Sequence, residues 1–447
     1  VFVSTNAANG QEFYRREAET WAAFAAKLDD LNARQAAFAA LSVTERTVRL
    51  NRFAARLDEA KEMLAEMVCE EVGRCLHECR AELQKSVELI RYYARLAPEL
   101  LAHKTIATHA GLSQVRFEPL GSVFAVMPWN YPVWQVLRFA VPAVCAGNAC
   151  TVKPAPSVAK VSAALFDLVG SELPIVPAWL DHGDTLKAIE YTDALAFTGS
   201  TATGRLLAAH AGAHIKKTVL ELGGSNAFIV LPDADLAQAA KEACYSRFRD
   251  AGQSCNAAKR IIVTGAVADE FIALFLNECA KLKSGDPKSP ETTLAPLHRA
   301  DLRENVHDQV TNAVENGAKC LIGGEIPVGI GWFYPATVLD EVNPACRVYH
   351  EEVFGPVAMI LRAKDEAHAV ALANDTPFGL GAAIYSADTK RAWHLAEKIE
   401  AGSVFINRHT SSDLRLPFGG VKNSGYGREL SEFGLYEFVN VKTYWQK

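Results

Sequence analysis

Ala194-Leu195-Ala196-Phe197-Thr198-Gly199-Ser200 is the stretch whose reading decides the fold. An apolar run ends in a glycine turn, and Gly204-Arg205-Leu206-Leu207 then opens a helix. A strand that feeds a helix through glycine leaves backbone N–H groups free at the helix start, a geometry suited to a pyrophosphate. The spacing is Gly-x4-Gly rather than Gly-x-Gly-x-x-Gly, so the usual dinucleotide fingerprint is absent. Working outward, Ser122–Met127, Ala149–Lys153, Ala227–Leu231, Arg260–Thr264, Ala358–Arg362, Gly381–Tyr385 and Ser403–Asn407 also read as strands separated by helical stretches. That alternation predicts βαβ units and largely parallel sheets covered on both faces, an α/β fold.

The two ends differ from this middle. Residues 1–97 contain no proline and only Gly10 and Gly73, and their spacing predicts long amphipathic helices that pack on a sheet. At the other end Glu437–Tyr444 reads as a strand with no helix after it, suited to an edge or to an arm reaching another subunit.

Composition narrows the function classes. A chain of 447 residues is too long for one ordinary core and predicts two or three domains. The 49% hydrophobic and 22% charged content is that of a globular protein, not a disordered one. A net charge of −6 without a long basic run argues against nucleic acid as a partner. No stretch approaches the roughly 20 apolar residues of a membrane helix, and the N-terminal residues lack a signal-peptide core. The chain starts with Val, which reads as trimming of the initiator methionine. Ten scattered cysteines read as reduced thiols of a cytoplasmic protein. Cys75-Leu76-His77-Glu78-Cys79 does not converge on one ion when helical, and no second ligand pair follows, so no metal is expected.

Three residues carry the chemistry. Cys255, in Ala251-Gly252-Gln253-Ser254-Cys255-Asn256, reads as a nucleophile, with the dipole of a following helix expected to favour its thiolate. Glu221 sits between Leu220 and Leu222 ahead of Gly223-Gly224, where apolar surroundings raise a carboxyl pKa towards that of a base working near neutrality. Asn130, in Pro128-Trp129-Asn130, offers an amide to a developing oxyanion, with the Cys255 N–H as second donor. A thiol, a carboxamide and a carboxylate are the groups needed to oxidise an aldehyde through a thioester. Lys153 ends a strand and can hydrogen-bond ribose hydroxyls. Each residue also has a bland reading: a buried cysteine, a surface glutamate, a turn asparagine, a strand-end lysine.

Together these segments resemble the aldehyde dehydrogenase superfamily. Seven motifs stand in the family's order: Met127–Pro132, Lys153-Pro154-Ala155, Phe197–Thr201, Glu221-Leu222-Gly223-Gly224, Gly252–Cys255, Glu351–Val357 and Pro417–Gly425. The resemblance implies a Rossmann-like cofactor domain (1–106 and 120–222), an α/β catalytic domain (223–430) and a small β oligomerisation arm (107–119 and 431–447). It implies Cys255 as nucleophile, Glu221 as base and Asn130 as oxyanion donor. NAD or NADP would lie against Met127, Pro128, Trp129, Lys153, Ala155, Gly199, Ser200, Thr203, Leu222, Glu352 and Phe354. The substrate would be a small aldehyde, and the protein a homodimer or homotetramer. The thioester would pass to water rather than to coenzyme A.

Two arginines narrow the substrate. Arg138 lies two helical turns beyond Asn130, and Arg249 six residues before the thiol. The pair is similar to that of succinate semialdehyde dehydrogenases, where both grip the remote carboxylate, a task suited to the guanidinium fork. Succinate semialdehyde is expected first, then glutarate semialdehyde, with neutral or aromatic aldehydes and a non-catalytic role as the competing readings. Either arginine can instead pair with Asp250 or another surface acid. Ala257 stands where some members carry a second cysteine, so no disulfide switch is expected. Pro156 replaces the glutamate of many NAD-selective members, so NADP is expected to be admitted. Leu173–Leu180 departs from the family's glycine-richer run.

Overall fold

The computed structural model describes residues 1–447 and is organised around two large sheets. In the first, Ser122–Val126 lies at the centre. The chain winds to one side through Ala149–Lys153 and Ile175–Pro177, then crosses to the other through Ala194–Thr198 and Lys217–Glu221, all parallel. The short strand Gly425–Tyr426 closes that edge antiparallel to Lys217–Glu221. The winding direction reverses between Ser122–Val126 and Ala194–Thr198, and ligands of such sheets bind in the crevice beyond the carboxyl ends at that point. The residues placed there are Met127-Pro128-Trp129-Asn130 and Gly199-Ser200.

The second sheet runs in the order Lys319–Ile322, Thr337–Asp340, Val357–Ala363, Ala258–Thr264, Asn226–Val230, Gly381–Tyr385, Ser403–Ile406. All but the Lys319–Ile322 edge are parallel. Ile261, Ile262 and Val263 are buried without alternation, as helices on both faces require. Each sheet has its own large apolar core. The chain passes from one to the other through four residues, Leu222-Gly223-Gly224-Ser225, between Lys217–Glu221 and Asn226–Val230. Site residues therefore follow strand ends in the first sheet and precede strand starts in the second.

Three helices, Trp21–Ala39, Val43–Val72 and Leu76–Leu100, precede the first sheet. Ser42 and Glu45 form a reciprocal cap at the start of the second. Gly73, at φ 91°, ends it, and a Cβ there would lie 2.6 Å from Ala7 Cβ. Val439–Gln446 pairs antiparallel with Leu112–Pro119, which Lys104–Thr105 extends to a three-stranded arm.

The eight strands expected in the middle of the chain and the C-terminal strand are present, Ala149–Lys153, Ala194–Thr198 and Gly381–Tyr385 with the expected ends and the others with ends shifted. The helical expectation for residues 1–97 needs correction at its start. Phe2–Thr5 and Glu12–Arg16 form an antiparallel hairpin, because Asn6 Oδ1 caps Ala8 N–H and Gly10 turns the chain at φ 74°. Ile175–Pro177 was not foreseen as a strand, and its proline is tolerated because it lies at a sheet edge.

Candidate active site

The turn carrying Cys255 is backbone under load. Asp250, Ala251 and Gly252 follow one another at φ 55°, 52° and 73°, a conformation that costs a non-glycine residue about 1 kcal/mol or more. Buried partners impose it. The Asp250 N–H donates to Glu78 Oε1 at 2.7 Å. Its carboxylate accepts Arg74 Nε at 2.6 Å and the Tyr131 hydroxyl. Arg247 Nη2 donates to Gly252 O at 2.8 Å and to Gly355 O at 2.6 Å, tying this turn to the Phe354 loop. A Cβ at position 252 would run into both Arg247 and Gly355, which requires glycine.

Cys255 therefore precedes the strand Ala258–Thr264 from a turn, and the expected helix start is not there. No dipole lowers its pKa. Burial and the neighbouring Glu221 carboxyl push the thiol well above its usual range, against the pull of Arg138 and Lys259. The resting sulfur is protonated, so attack needs a base. Glu221, the last residue of its strand, is 2% exposed. Burial, opposed by Arg138 and reinforced by Glu429, lifts it to about 7. Glu221 Oε2 accepts Arg138 Nη2 at 3.3 Å, while Oε1 is buried without a hydrogen bond. Asn130 Nδ2 donates to Gln253 O at 3.0 Å, which sets the amide beside the cysteine turn. The Cys255 N–H has no protein acceptor. The structure thus brings together all three groups expected from the sequence.

Two cavities meet at the sulfur. One, of about 230 Å³, is lined by Pro128, Trp129, Gly199, Ser200, Leu222, Glu352 and Phe354 among others, and also touches Asn130, Glu221 and Cys255. The other, also of about 230 Å³, is lined by Arg138, Arg249, Lys85, Tyr131, Trp134 and Phe418 together with Cys255. Arg138 and Arg249 thus share one cavity. The Arg138 guanidinium is buried between Glu221 and Glu429 Oε2, the latter at 2.5 Å, so it pairs with two buried acids and not with Asp250 or a surface one. Arg249 Nε stands 3.7 Å from Asp250 Oδ2.

The first cavity has features that fit a dinucleotide. Ser200 caps the helix Thr201–Ala213 by accepting the Thr203 N–H. Gly204 lets Leu222 pack where a Cβ would lie 2.5 Å away. Glu352 Oε1 is held by the Gly224 N–H at 3.0 Å and Lys259 Nζ at 2.6 Å, leaving Oε2 to accept from hydroxyls. Lys153 Nζ donates to no protein atom, and burial pulls it down to about 8. Lys153, Ala155 and Thr203 lie outside the lining of this cavity, and Met127 is packed in the core.

Sequence reasoning missed several residues. Arg74, Glu78, Glu82 and Lys85 line the second cavity from the start of the helix Leu76–Leu100, a segment expected only to pack. Glu82 accepts the Val133 and Trp134 N–H groups at 3.0 Å each, and Arg74 Nη1 donates to Asn130 O at 3.3 Å. A charged Glu82 on the apolar stripe of Cys79, Leu83, Ser86 and Val87 was the available signal. His298 stacks on Trp129 with centroids 4.3 Å apart, and its Nε2 is hydrogen-bonded to Ser157 Oγ at 2.7 Å. Burial holds its pKa down at about 3, so the ring is neutral.

Residues 2–444 match the model of the aldehyde dehydrogenase family. The chain is 42% identical over 412 residues to the succinate semialdehyde dehydrogenase (NAD(P)+) Sad of Escherichia coli, covering 91% of this chain and 89% of that one. It is 40% identical over 406 residues to the succinate-semialdehyde dehydrogenase (NADP(+)) of Deinococcus radiodurans, covering 90% and 85%. The solved succinic semialdehyde dehydrogenase of Streptococcus pyogenes, in complex with NADP+, superimposes with a TM-score of 0.97 at 32% identity, covering 100% of this chain and 99% of that one. With its thiol, amide and carboxyl gathered where two cavities join, the chain belongs to the aldehyde dehydrogenase family.

Proposed function

We propose that the protein oxidises an acidic semialdehyde, succinate semialdehyde first, to the dicarboxylic acid with NAD or NADP. The observation that carries this reading is the position of Cys255 where two cavities meet, one holding Lys85, Arg138 and Arg249 among its lining and one with features that fit a dinucleotide. The names of the relatives support the same substrate.

Glu221 accepts the thiol proton, and the Cys255 sulfur adds to the aldehyde carbon. The oxygen of the resulting thiohemiacetal is held by Asn130 Nδ2 and the Cys255 N–H. When bound, the nicotinamide supplies hydride acceptance; Glu352 and Lys153 would hold its riboses, with Gly199 and Ser200 near the pyrophosphate. Trp129 and Phe354, at right angles with centroids 5.8 Å apart, wall the same cavity. In the second half-reaction Glu221 takes a proton from water, which attacks the thioester carbonyl and releases the acid and the Cys255 thiol. Arg138 and Arg249 place positive charge at the carboxylate end of the second cavity.

The domain division given above is part of this proposal; the two large sheets support it, although Gly425–Tyr426 pairs into the first sheet and Lys104–Thr105 into the arm. Val441 and Trp445 on the arm are more than half exposed, which supports pairing of subunits through it. No helix is long and apolar enough to cross a membrane. Ten free cysteines support a reducing, cytoplasmic setting.

A panel of acidic, neutral and aromatic aldehydes, read by reduced-nicotinamide absorbance with each cofactor, tests this function. Highest kcat/KM for succinate semialdehyde is expected. Equal or better use of neutral aldehydes of the same length overturns the substrate.

A further inference from the structure

The cations around the substrate cavity differ in how much of their charge is already matched. Arg74 is paired with Glu82 at 2.5 Å and Asp250 at 2.6 Å. Arg138 is held by Glu221 and Glu429. Arg249 shares Asp250 with Arg74 and the Tyr131 hydroxyl. Lys85 has no carboxylate at all. Its Nζ donates to Ser412 O at 2.8 Å and Ser412 Oγ at 2.6 Å, and sits 4.5 Å from the centre of the Trp134 ring. The next acid along that loop, Asp413, is taken by Arg415 at 2.7 Å.

Lys85 is half-buried, and an ammonium so placed with only neutral acceptors gains when an anion joins it. Burial, with Arg138 and Arg249 nearby, pulls Lys85 down to about 8, against the weaker pull of Asp413 and Glu88. The cavity that Lys85 lines is the one that reaches Cys255, so a molecule held at the sulfur by its aldehyde carbon can present its other end there.

We propose that Lys85, on the helix Leu76–Leu100, is a specificity-determining residue whose ammonium receives the remote carboxylate of the substrate, with Ser412 and Arg249 beside it. This rests on the semialdehyde reading above. Arg138, whose Nη2 contacts both Glu221 and Glu429, also positions the base. The chemical class admitted is an aldehyde with a compact anion at the far end, and the neutral Ser412 contacts orient Nζ towards it.

The test compares Lys85→Met and Lys85→Arg with the parent enzyme on succinate semialdehyde and on butanal, a neutral aldehyde of equal length. Loss of a charge-assisted contact predicts that Lys85→Met lowers the acid-to-neutral ratio of kcat/KM by about 10- to 100-fold, mostly through KM of the acid. Lys85→Arg should restore most of that ratio, and succinate should inhibit Lys85→Met more weakly than the parent. A Lys85→Met ratio equal to the parent's, or equal losses on both aldehydes, overturns the assignment. A parent enzyme without preference for the acid overturns the semialdehyde reading itself, and this inference with it.

Discussion

Arg138 Nη2 lies 3.3 Å from Glu221 Oε2 and 2.5 Å from Glu429 Oε2, so one buried guanidinium holds two buried carboxyls of the reaction centre. An arginine that looks from the sequence like a substrate ligand is therefore also the counter-ion of the base. Replacing it with Met leaves both carboxyls without their cation, and the Glu221 pKa must climb further. Arg138→Met should lower kcat at pH 7 by about tenfold or more on neutral and acidic aldehydes alike, and move the pH–rate limb to higher pH. Steady-state kinetics across pH on both aldehyde types check this; a loss confined to KM of the acid would make Arg138 a substrate ligand only.

The unaltered enzyme should show that limb near neutrality. Burial raises Glu221 to about 7. Below that pH the carboxyl is protonated and cannot take a proton from water, so the hydrolytic step slows as pH falls and speeds as pH rises through about 7. A kcat profile under saturating aldehyde and cofactor measures it. Glu221→Gln should abolish the limb together with most of the turnover.

Arg74 predicts a stability effect. Its side chain is buried between Glu82 and Asp250 and lies 4.0 Å from the centre of the Tyr131 ring. Removing the cation strands two buried carboxylates, a change that costs about 3–5 kcal/mol. Arg74→Met should shift the urea midpoint down strongly, while Arg52→Met, at an exposed pair with Glu172, should change it little.

Gly223 and Glu352 predict a cofactor effect. A Cβ at position 223 would collide with Glu352 Oε2, the oxygen left free to accept from a ribose. Gly223→Ala should raise the KM for the nicotinamide cofactor by about tenfold, equivalent to about 1.4 kcal/mol, with the aldehyde KM changed less. Titration of cofactor binding by fluorescence gives the same comparison without turnover.

The sequence made the parallel core legible because its strands are short apolar runs between helical stretches, as at Ala194–Thr198 and Gly381–Tyr385. The three reacting groups were legible for a chemical reason: a thiol, a carboxyl among leucines and a turn amide stand at strand ends where function collects. What stayed hidden depends on contacts between distant segments. Arg74 and Glu78 sit about 170 residues from the turn they hold, and only the folded chain shows that this segment lines the cavity at Cys255. The Cys255 helix start was misread because Asn256-Ala257-Ala258-Lys259-Arg260 has helical propensity, whereas pairing with Asn226–Val230 and Val357–Ala363 draws residues from Ala258 onward into the sheet. Tertiary pairing overrode local preference.

The most direct measurement is a single-turnover trap. Glu221→Gln, mixed with succinate semialdehyde and cofactor, should form reduced nicotinamide slowly, because Gln cannot take the thiol proton, reach about one equivalent per active subunit and then stall at the thioester, and mass spectrometry should find one acyl group on the peptide bearing Cys255. Continued turnover with no acyl adduct, or an adduct on another residue, would contradict the roles assigned to Cys255 and Glu221.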